Sequence, residues 1–210
     1  MLVLVLGSEY HRIEKKEMLM MSKKIILFGD SLLAGYTNGL PTDRVTNALI
    51  NNLPQYNIIN ESIPGLTTEE AEDFLPKRVL NQHYDLVTLG LGTNDDSVYN
   101  GLNAGRYAYN LDKLVKKLDA NKVILMGPSY TNWKINPNQS WPRTLQFTLI
   151  AQHCSFIHHL PFLNLNKEMM ESGHPNDLLQ ADGIHLNKAG NKLLVNQLTN
   201  LINKKIAEYN

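Results

Sequence analysis

Short apolar runs alternate with longer helix-like segments along most of this chain, and this alternation restricts the fold more than any other feature. Four runs predict β-strands at 23–28, 56–60, 85–91 and 122–126, and a weaker run predicts a fifth at 155–158. Helices are predicted between them, over about 42–53, 67–81, 103–119, 140–152 and 187–207. Apolar strands separated by helices are typical of a parallel sheet covered on both faces. The sequence therefore predicts an α/β fold with a five-stranded parallel sheet.

Two positions carry residue types that begin helices. The Thr67 side chain can cap a helix whose first turn carries the carboxylates of Glu69 and Glu70. Asn187 can cap the last helix in the same way. Apolar residues then recur on one face of that helix, at Leu194, Leu198, Leu201 and Ile202.

The composition limits the class of protein. The 210 residues suit one domain, and 20 basic residues balance 20 acidic ones, which excludes the broad basic surface of a nucleic-acid binder. The single cysteine, Cys154, excludes an intramolecular disulfide and multi-cysteine metal sites. No apolar run reaches the roughly 18–20 residues that cross a bilayer. We therefore expect a soluble cytoplasmic protein with no nucleic-acid partner and no membrane span.

The start of the chain differs from the rest. Residues 2–6 are apolar, but charged residues follow them rather than a signal-peptide cleavage site. We interpret residues 1–20 as a peripheral extension and 21–210 as one domain. The alternation at 2–6 would also suit an edge strand or a partner's strand, and the oligomeric state stays open, a homo-oligomer included.

Small and polar residues follow three of the predicted strands. Ser31, Gly65 and Asn94 come after the first, second and third strand, respectively. Asp182 and His185 directly precede the last helix. Because folds of this kind bind ligands beyond the carboxyl ends of the strands, we expect these residues to meet at one edge of the sheet.

Together these residue types suit nucleophilic catalysis. We expect Ser31 at the N-terminus of a helix, where the helix dipole favours developing negative charge. His185 can remove the hydroxyl proton if Asp182, three residues earlier, holds its other ring nitrogen. The oxyanion that forms needs donors in place. Three are available: the backbone N–H groups of Ser31 and Gly65 and the amide of Asn94.

The segments around these residues resemble the blocks of the SGNH or GDSL hydrolases. They read FGDSL at 28–32, Gly65, GTND at 92–95 and DGIH at 182–185, in the family's order, and the resemblance spans about 28–190. It implies a flavodoxin-like three-layer α/β/α fold. It also implies ester or thioester hydrolysis through an acyl-enzyme, with neither metal nor cofactor. Ser31 is the nucleophile in this comparison, with Asp182 and His185 as its partners.

Other residues invite separate interpretations. We expect three aromatic residues after the fourth strand to wall a substrate pocket, with simple loop packing as an equal alternative: Tyr130, Trp133 and Trp141. Asp95 and Asp96 are interpreted as carboxylates at a helix start. Four histidines lack an accompanying acidic or cysteine frame and are interpreted as surface or core residues rather than metal ligands: His153, His158, His159 and His174.

The sequence thus predicts a serine hydrolase whose substrate is a small-molecule ester or thioester with a short acyl chain. A carbohydrate O-acetylesterase would use the same residues, with Trp133 and Trp141 stacking on a sugar ring. An acyltransferase would share the acyl-enzyme and differ only in the acceptor. A non-catalytic binding module on the same fold is the alternative from a different class.

Overall fold

The computed structural model describes residues 22–208. The predicted extension over 1–20 lies outside the described residues. Within the described range, no helix is both long and apolar enough to cross a membrane.

Five parallel strands form one sheet. They are β1 (Lys24–Gly29), β2 (Asn57–Asn60), β3 (Leu86–Gly90), β4 (Val123–Met126) and β5 (Phe162–Leu163), in the spatial order β2-β1-β3-β4-β5. Every neighbouring pair in this sheet is parallel. The order changes direction at β1, so the ends of β1 and β3 flank the point where parallel folds bind ligands.

Within residues 22–208, six α-helices cover the two faces of the sheet. They are α1 (Arg44–Asn52), α2 (Thr68–Leu75), α3 (Ala104–Lys117), α4 (Trp141–Ile157), α5 (Leu165–Glu171) and α6 (Lys188–Ala207). A π-helical turn, Pro76–Leu80, continues α2. Helices α1, α5 and α6 bury their apolar residues against one face, and α2, α3 and α4 against the other. The predicted three-layer α/β/α fold is confirmed.

Successive side chains of β1 enter opposite layers. Ile25 and Leu27 belong to the core beneath α1 and α6, whereas Ile26 and Phe28 belong to the core beneath α2 and α3. All four side chains are fully buried. A strand covered on both faces needs a continuous apolar run, which is why β1 could be read from the sequence.

The helix starts also follow the predicted residues. The Thr67 hydroxyl accepts from the N–H of Glu70, and the Glu70 carboxylate accepts from the N–H of Thr67, which completes a capping box. The Asn187 side chain accepts from the N–H groups of Ala189 and Gly190 at the start of α6. Both predicted caps are confirmed.

The five-stranded parallel sheet is confirmed, but the predicted position of its fifth strand was wrong. Residues 155–157 are the last turn of α4, and β5 follows at Phe162–Leu163. Buried residues recur at helical spacing through α4 as far as this segment, at Thr144, Phe147, Thr148, Ala151, Cys154 and Ser155. A run of four residues fits a strand or a helix equally, and the period over the longer stretch decides. Helix α5 was not predicted.

The strand ends position the segments that follow them. Gly29 and Gly90 are register partners in β1 and β3, and a Cβ on Gly29 would lie 2.1 Å from the carbonyl oxygen of Gly90. The N–H of Asp30 donates to that same oxygen at 3.1 Å. The segments that continue from these two strands therefore begin side by side.

Candidate active site

Ser31 lies in a single tight turn directly after β1. The N–H of Ala34 donates to the carbonyl of Asp30, and the N–H of Tyr36 donates to the carbonyl of Ser31, both at 3.0 Å. The expectation that Ser31 begins a helix was wrong, because α1 starts only at Arg44. Gly35, with a φ of +62°, turns the chain away before a second helical turn can form. Any dipole effect on Ser31 therefore comes from this one turn.

The loop before α6 brings His185 to Ser31. The Nε2 atom of His185 lies 3.0 Å from the Oγ atom of Ser31, although 154 positions separate them in the sequence. On the other side of the ring, Nδ1 lies 2.7 Å from Oδ2 of Asp182. Ser31 is 4% exposed, so bulk water has little access to its hydroxyl. The three side chains form a continuous hydrogen-bonded chain from carboxylate to hydroxyl.

The loop itself fixes the Asp182 carboxylate. Its Oδ1 atom accepts from the N–H groups of Ile184 at 2.9 Å and His185 at 3.0 Å, while Oδ2 faces the imidazole. Burial alone would raise the pKa of Asp182, but the hydrogen bonds from His185 and from the two N–H groups lower it overall. The carboxylate is therefore ionised near neutral pH and holds a proton on Nδ1, which leaves Nε2 free to accept one from Ser31.

The predicted oxyanion donors lie on neighbouring segments. The N–H of Ile63 donates to the carbonyl of Gly29 at 2.8 Å, which ties the loop carrying Gly65 to the end of β1. The amide nitrogen of Asn94 donates to the carbonyl of Leu66 at 3.0 Å, so Asn94 lies beside Gly65. Gly65 has a φ of +83°, a conformation that strains any residue with a side chain.

The backbone donors have no competing acceptors. In the hydrogen bonds recorded for residues 22–208, neither the N–H of Ser31 nor that of Gly65 donates to a protein atom. The Asn94 amide carries two hydrogens, and Leu66 accepts only one of them. These three groups can therefore donate to a ligand without breaking a bond within the described chain.

Three buried carboxyl groups hold the segments around Ser31 and Asn94. An oxygen of Asp30 accepts from the N–H of Leu32 at 2.9 Å. An oxygen of Asp95 accepts from the N–H of Thr68, the first residue of α2, at 2.9 Å. Asp96 accepts from the hydroxyl of Thr144 at 2.6 Å. The interpretation of Asp95 and Asp96 as carboxylates at the start of a helix of their own was wrong, because they lie in a turn. Asp95 instead binds the start of α2, and Asp96 binds the first turn of α4.

Burial shifts the ionisation of all three groups. Each is at most 1% exposed, and the second oxygen of each has no hydrogen-bond partner among the described residues. Desolvation therefore raises the pKa of Asp30 to about 7, that of Asp95 to about 6 and that of Asp96 to about 7. Hydrogen bonds offset this rise only in part.

The three predicted pocket residues lie together. Tyr130, Trp133 and Trp141 line one pocket of about 310 Å³, with Thr131, Thr144, Leu145, Asn166 and Met170. Ser31 and His185 are not among the residues that line it. The loop carrying Tyr130 and Trp133 is bound to the loop that carries the Asp182–His185 pair, since the N–H of Asn132 donates to the carbonyl of Gly183 at 2.7 Å.

Two residues near Ser31 and His185 were missed by the sequence analysis, namely Tyr36 and Gln180. The ring centroids of Tyr36 and His185 lie 4.4 Å apart. Gln180 donates from Nε2 to the carbonyls of Tyr36 and Leu186. Each lies a few residues from a motif, but one tyrosine and one glutamine form no pattern that a single sequence can reveal.

One of the four histidines singled out in the sequence, His158, has an acidic neighbour in the structure. His158 follows α4, and its Nε2 atom lies 2.7 Å from a carboxylate oxygen of Asp112. The sequence predicts a strand at this position, but His158 instead follows directly after α4, which continues to Ile157. Cys154 is buried, and burial raises the pKa of its thiol to about 11.

Comparisons with known proteins agree on one family. Residues 27–193 match the model of the GDSL-like lipase/acylhydrolase family. An arylesterase of Vibrio mimicus is 35% identical over 113 residues, 50% of this chain and 54% of that protein, so the chain spans about half the length of this curated relative. A lipase/acylhydrolase of Enterococcus faecalis superposes with a TM-score of 0.82 at 30% identity, over 85% of this chain and 94% of that one. A catalytic mutant of an acetylxylan esterase of Geobacillus stearothermophilus, at 20% identity and a TM-score of 0.72 over 86% and 94%, shares the fold.

The buried carboxyl groups make stability depend on pH, and Asp96→Asn tests this. Between pH 4 and 7 the folded chain keeps a proton on Asp96 that the unfolded chain releases, so the contribution of Asp96 to stability falls as the pH rises. Asparagine keeps the acceptor for Thr144 but does not titrate. Denaturant unfolding measures the free energy of unfolding at pH 4 and pH 8. The value for Asp96→Asn minus that for the wild type should rise by up to about 4 kcal/mol from pH 4 to pH 8.

The exposed Asp73 on α2 provides the control, since Asp73→Asn removes a carboxylate that is not buried. Parallel pH curves for the wild type and Asp96→Asn would contradict this account of the buried carboxyl groups.

Proposed function

The chain belongs to the GDSL-like lipase/acylhydrolase family, and on that premise we propose that it is a serine esterase that cleaves small acyl esters or thioesters through an acyl-enzyme. One observation carries the proposal. The Oγ of Ser31 lies 3.0 Å from Nε2 of His185, whose Nδ1 lies 2.7 Å from the Asp182 carboxylate. This arrangement supplies a nucleophile, a base and a group that orients the base.

The first half of the reaction forms the acyl-enzyme. Nε2 of His185 takes the proton of the Ser31 hydroxyl while Oγ bonds to the acyl carbon of the substrate. The carbonyl oxygen becomes an oxyanion, and the ionised Asp182 stabilises the imidazolium. When the tetrahedral intermediate collapses, the bond to the leaving group breaks. His185 then gives its proton to the departing alcohol or thiol.

The second half regenerates the enzyme. His185 takes a proton from water, and the resulting hydroxide attacks the acyl carbon bound to Ser31. A second oxyanion forms in the same position. Its collapse releases the carboxylic acid and returns the proton to Oγ.

The donors proposed for the oxyanion are the N–H groups of Ser31 and Gly65 and the amide of Asn94. The N–H groups of Ser31 and Gly65 donate to no atom of the described chain, and the Asn94 amide has one hydrogen left after its bond to Leu66. This supports the role, since a donor already engaged would give less stabilisation in the transition state. The hydrogen bond from Asn94 to Leu66 also limits rotation of the amide. The donors are then in place before the negative charge develops.

The aromatic pocket suggests the size of the substrate. A volume of about 310 Å³ is at the lower end for ligand sites. We assign Tyr130, Trp133 and Trp141 to the binding of a short acyl chain or of a small leaving group. This pocket itself has room for a ring or a few carbons, so we propose that it binds the small end of the substrate.

Replacing the nucleophile tests the proposal directly. Ser31→Ala should lower kcat for p-nitrophenyl acetate by about 10⁴- to 10⁶-fold, because the other groups cannot act without a nucleophile. It should also abolish the adduct that a fluorophosphonate forms with the wild type, as detected by mass spectrometry. Ser172→Ala, on an exposed serine, is the matched control.

Near-normal turnover by Ser31→Ala would refute the assignment. A wild-type protein that neither turns over esters nor forms the adduct would instead support a non-catalytic binding module. Transfer of the acyl group to an added alcohol, measured from the products, distinguishes an acyltransferase.

The amide of Asn94 can be tested separately. Asn94→Ala should lower kcat by about 10²- to 10³-fold with little change in KM, since the amide acts on the oxyanion and not on the ground-state ester. Steady-state kinetics with p-nitrophenyl acetate measure both constants. A rise in KM with an unchanged kcat would make Asn94 a binding residue instead.

The second candidate is a carbohydrate O-acetylesterase, and the exposed tryptophans favour it. Trp133 is 42% exposed and Trp141 is 53% exposed, and both border the same pocket. Exposed indole faces can stack on a sugar ring, whereas a site for acyl chains alone would gain more from burying them. The fold is shared with an acetylxylan esterase.

Removing one indole distinguishes the two substrates. Trp133→Ala should raise KM for acetylated xylose by about 3- to 10-fold, since one ring contact is lost. It should leave kcat/KM for p-nitrophenyl acetate within about twofold of the wild type. Tyr99→Ala, at a residue that is 79% exposed and outside the pocket, is the control. An equal loss on both substrates would argue against a sugar subsite.

A further inference from the structure

Gln180 joins the two loops that carry Ser31 and His185. Its Nε2 donates to the carbonyl of Tyr36 at 2.8 Å and to that of Leu186 at 2.9 Å, while its Oε1 accepts from the N–H of Asn38 at 3.2 Å. All three polar contacts of the side chain go to backbone groups. The planar carboxamide of a glutamine can donate twice and accept at the same time.

The backbone of Gln180 also binds the loop that carries the base. Its N–H donates to the carbonyl of His185 at 2.7 Å, and its carbonyl accepts from the N–H of Gly183 at 3.1 Å. The residue therefore grips residues 183–186 through its main chain and through its side chain. It binds residues 36–38 through the side chain alone.

Apart from the contact between Ser31 and His185, all the hydrogen bonds between these two loops in the described chain involve Gln180. Among the hydrogen bonds recorded for residues 22–208, three connect residues 31–40 with residues 180–187. One is the bond between Ser31 and His185 itself, and the other two both involve Gln180. The two hydrogen bonds of Gln180 are therefore the polar contacts that help to fix the distance between Ser31 and His185.

Tyr36 completes the connection from the other side. Its N–H donates to the carbonyl of Ser31 at 3.0 Å, and its ring lies 4.4 Å from the His185 ring, tilted by 37°. The backbone of Tyr36 is thus fixed to the nucleophile, while its ring contacts the base. Its carbonyl is one of the two that Gln180 holds.

The segment that carries Tyr36 is stiff. Thr37 and Leu40 exchange two hydrogen bonds across Asn38 and Gly39, whose φ angles are +52° and +88°. Positive φ at both central residues is the conformation of a tight two-residue hairpin turn. The hydrogen bonds of Gln180 to residues 36 and 38 therefore hold Tyr36 on a tight turn and not on an irregular loop.

We propose that Gln180 and Tyr36 act as one positioning unit that holds the imidazole of His185 against Ser31. The proposal rests on the proposed function, because it concerns the geometry of proton transfer in that reaction. Neither residue exchanges a proton or touches the acyl carbon. They limit the sliding and tilting of the ring that would lengthen the 3.0 Å contact. A misplacement of about 1 Å can cost 10²-fold in rate.

Two variants remove the two halves of the unit. Gln180→Met keeps the length of the side chain and removes both donors and the acceptor. Tyr36→Ala removes the ring. Each should lower kcat for p-nitrophenyl acetate by about 10- to 100-fold and leave KM within about threefold, because the substrate is bound but proton transfer is impaired. The rate of labelling of Ser31 by a fluorophosphonate should fall by a similar factor.

The controls separate positioning from general loss of structure. Tyr36→Phe keeps the ring and should keep kcat within about threefold of the wild type. A larger loss would show that the hydroxyl of Tyr36, and not its ring, is required. Gln55→Met makes the same change at an exposed glutamine before β2, at the opposite edge of the sheet, and should change neither constant. Rates are measured well below the thermal unfolding midpoint of each variant, so that only folded protein contributes.

The double variant gives the decisive result. If the two residues act as one unit, Gln180→Met with Tyr36→Ala should have a kcat close to that of the slower single variant. Losses that multiply would overturn the proposal, as would wild-type kcat in either single variant or a change confined to KM. Should Gln180→Met not fold, Gln180→Glu replaces it, since a carboxylate also cannot donate to the two carbonyls.

Failure of the positioning proposal can be distinguished from failure of the proposed function. A wild-type protein that neither hydrolyses esters nor reacts with the fluorophosphonate would refute the esterase. An active wild type with a fully active Gln180→Met variant would refute only the positioning unit.

Discussion

The close approach of β1 and β3 at their carboxyl ends is the contact on which the rest of the site depends. Gly29 and Gly90 face each other in register, and even a methyl group on Gly29 would overlap the carbonyl of Gly90. Because that space is free, the chain can turn directly after β1, with the N–H of Asp30 bound to Gly90. The turn that carries Ser31 and the segment that carries Asn94 then start from adjacent points. A wider separation of these strands would move Ser31 away from the donors proposed for the oxyanion, whatever the residues on either segment.

The site is also held by groups that are costly to bury. Asp30, Asp95 and Asp96 each give one oxygen to a segment near the donors and leave the other oxygen buried without a partner in the described chain. Desolvation without full compensation opposes folding, and the raised pKa values record that cost. In return, the partnered oxygen of each group accepts a hydrogen bond from Leu32, Thr68 or Thr144 and so fixes the position of that segment. The arrangement exchanges some stability for a fixed geometry, which is common where chemistry takes place.

The parts of the candidate triad differ in how they are held. Asp182 and His185 lie within one loop, and two N–H groups of that loop fix the carboxylate, so this pair needs little from the rest of the fold. The contact between His185 and Ser31 crosses between two loops that are far apart in the sequence. Local hydrogen bonds cannot secure it. Gln180 and Tyr36 occupy this second, weaker junction, which is why their role follows from the packing of two loops and not from either loop alone.

The sequence by itself determined the features that depend on local rules. Four strands, the caps at Thr67 and Asn187, and the residues that would carry the chemistry followed from apolar runs, side-chain types and a resemblance in four short blocks. Where neighbouring residues did not decide the outcome, the prediction was wrong: 155–157 joined a helix because the buried face of α4 continues through it, and Ser31 occupies one turn because Gly35 redirects the chain. Only the tertiary structure decided which distant groups meet. The 3.0 Å contact of Ser31 with His185, the burial of three carboxyl groups and the bridge made by Gln180 arise from the packing of segments against one sheet edge. Such contacts depend on the relative placement of whole elements, and no short stretch of sequence contains that information.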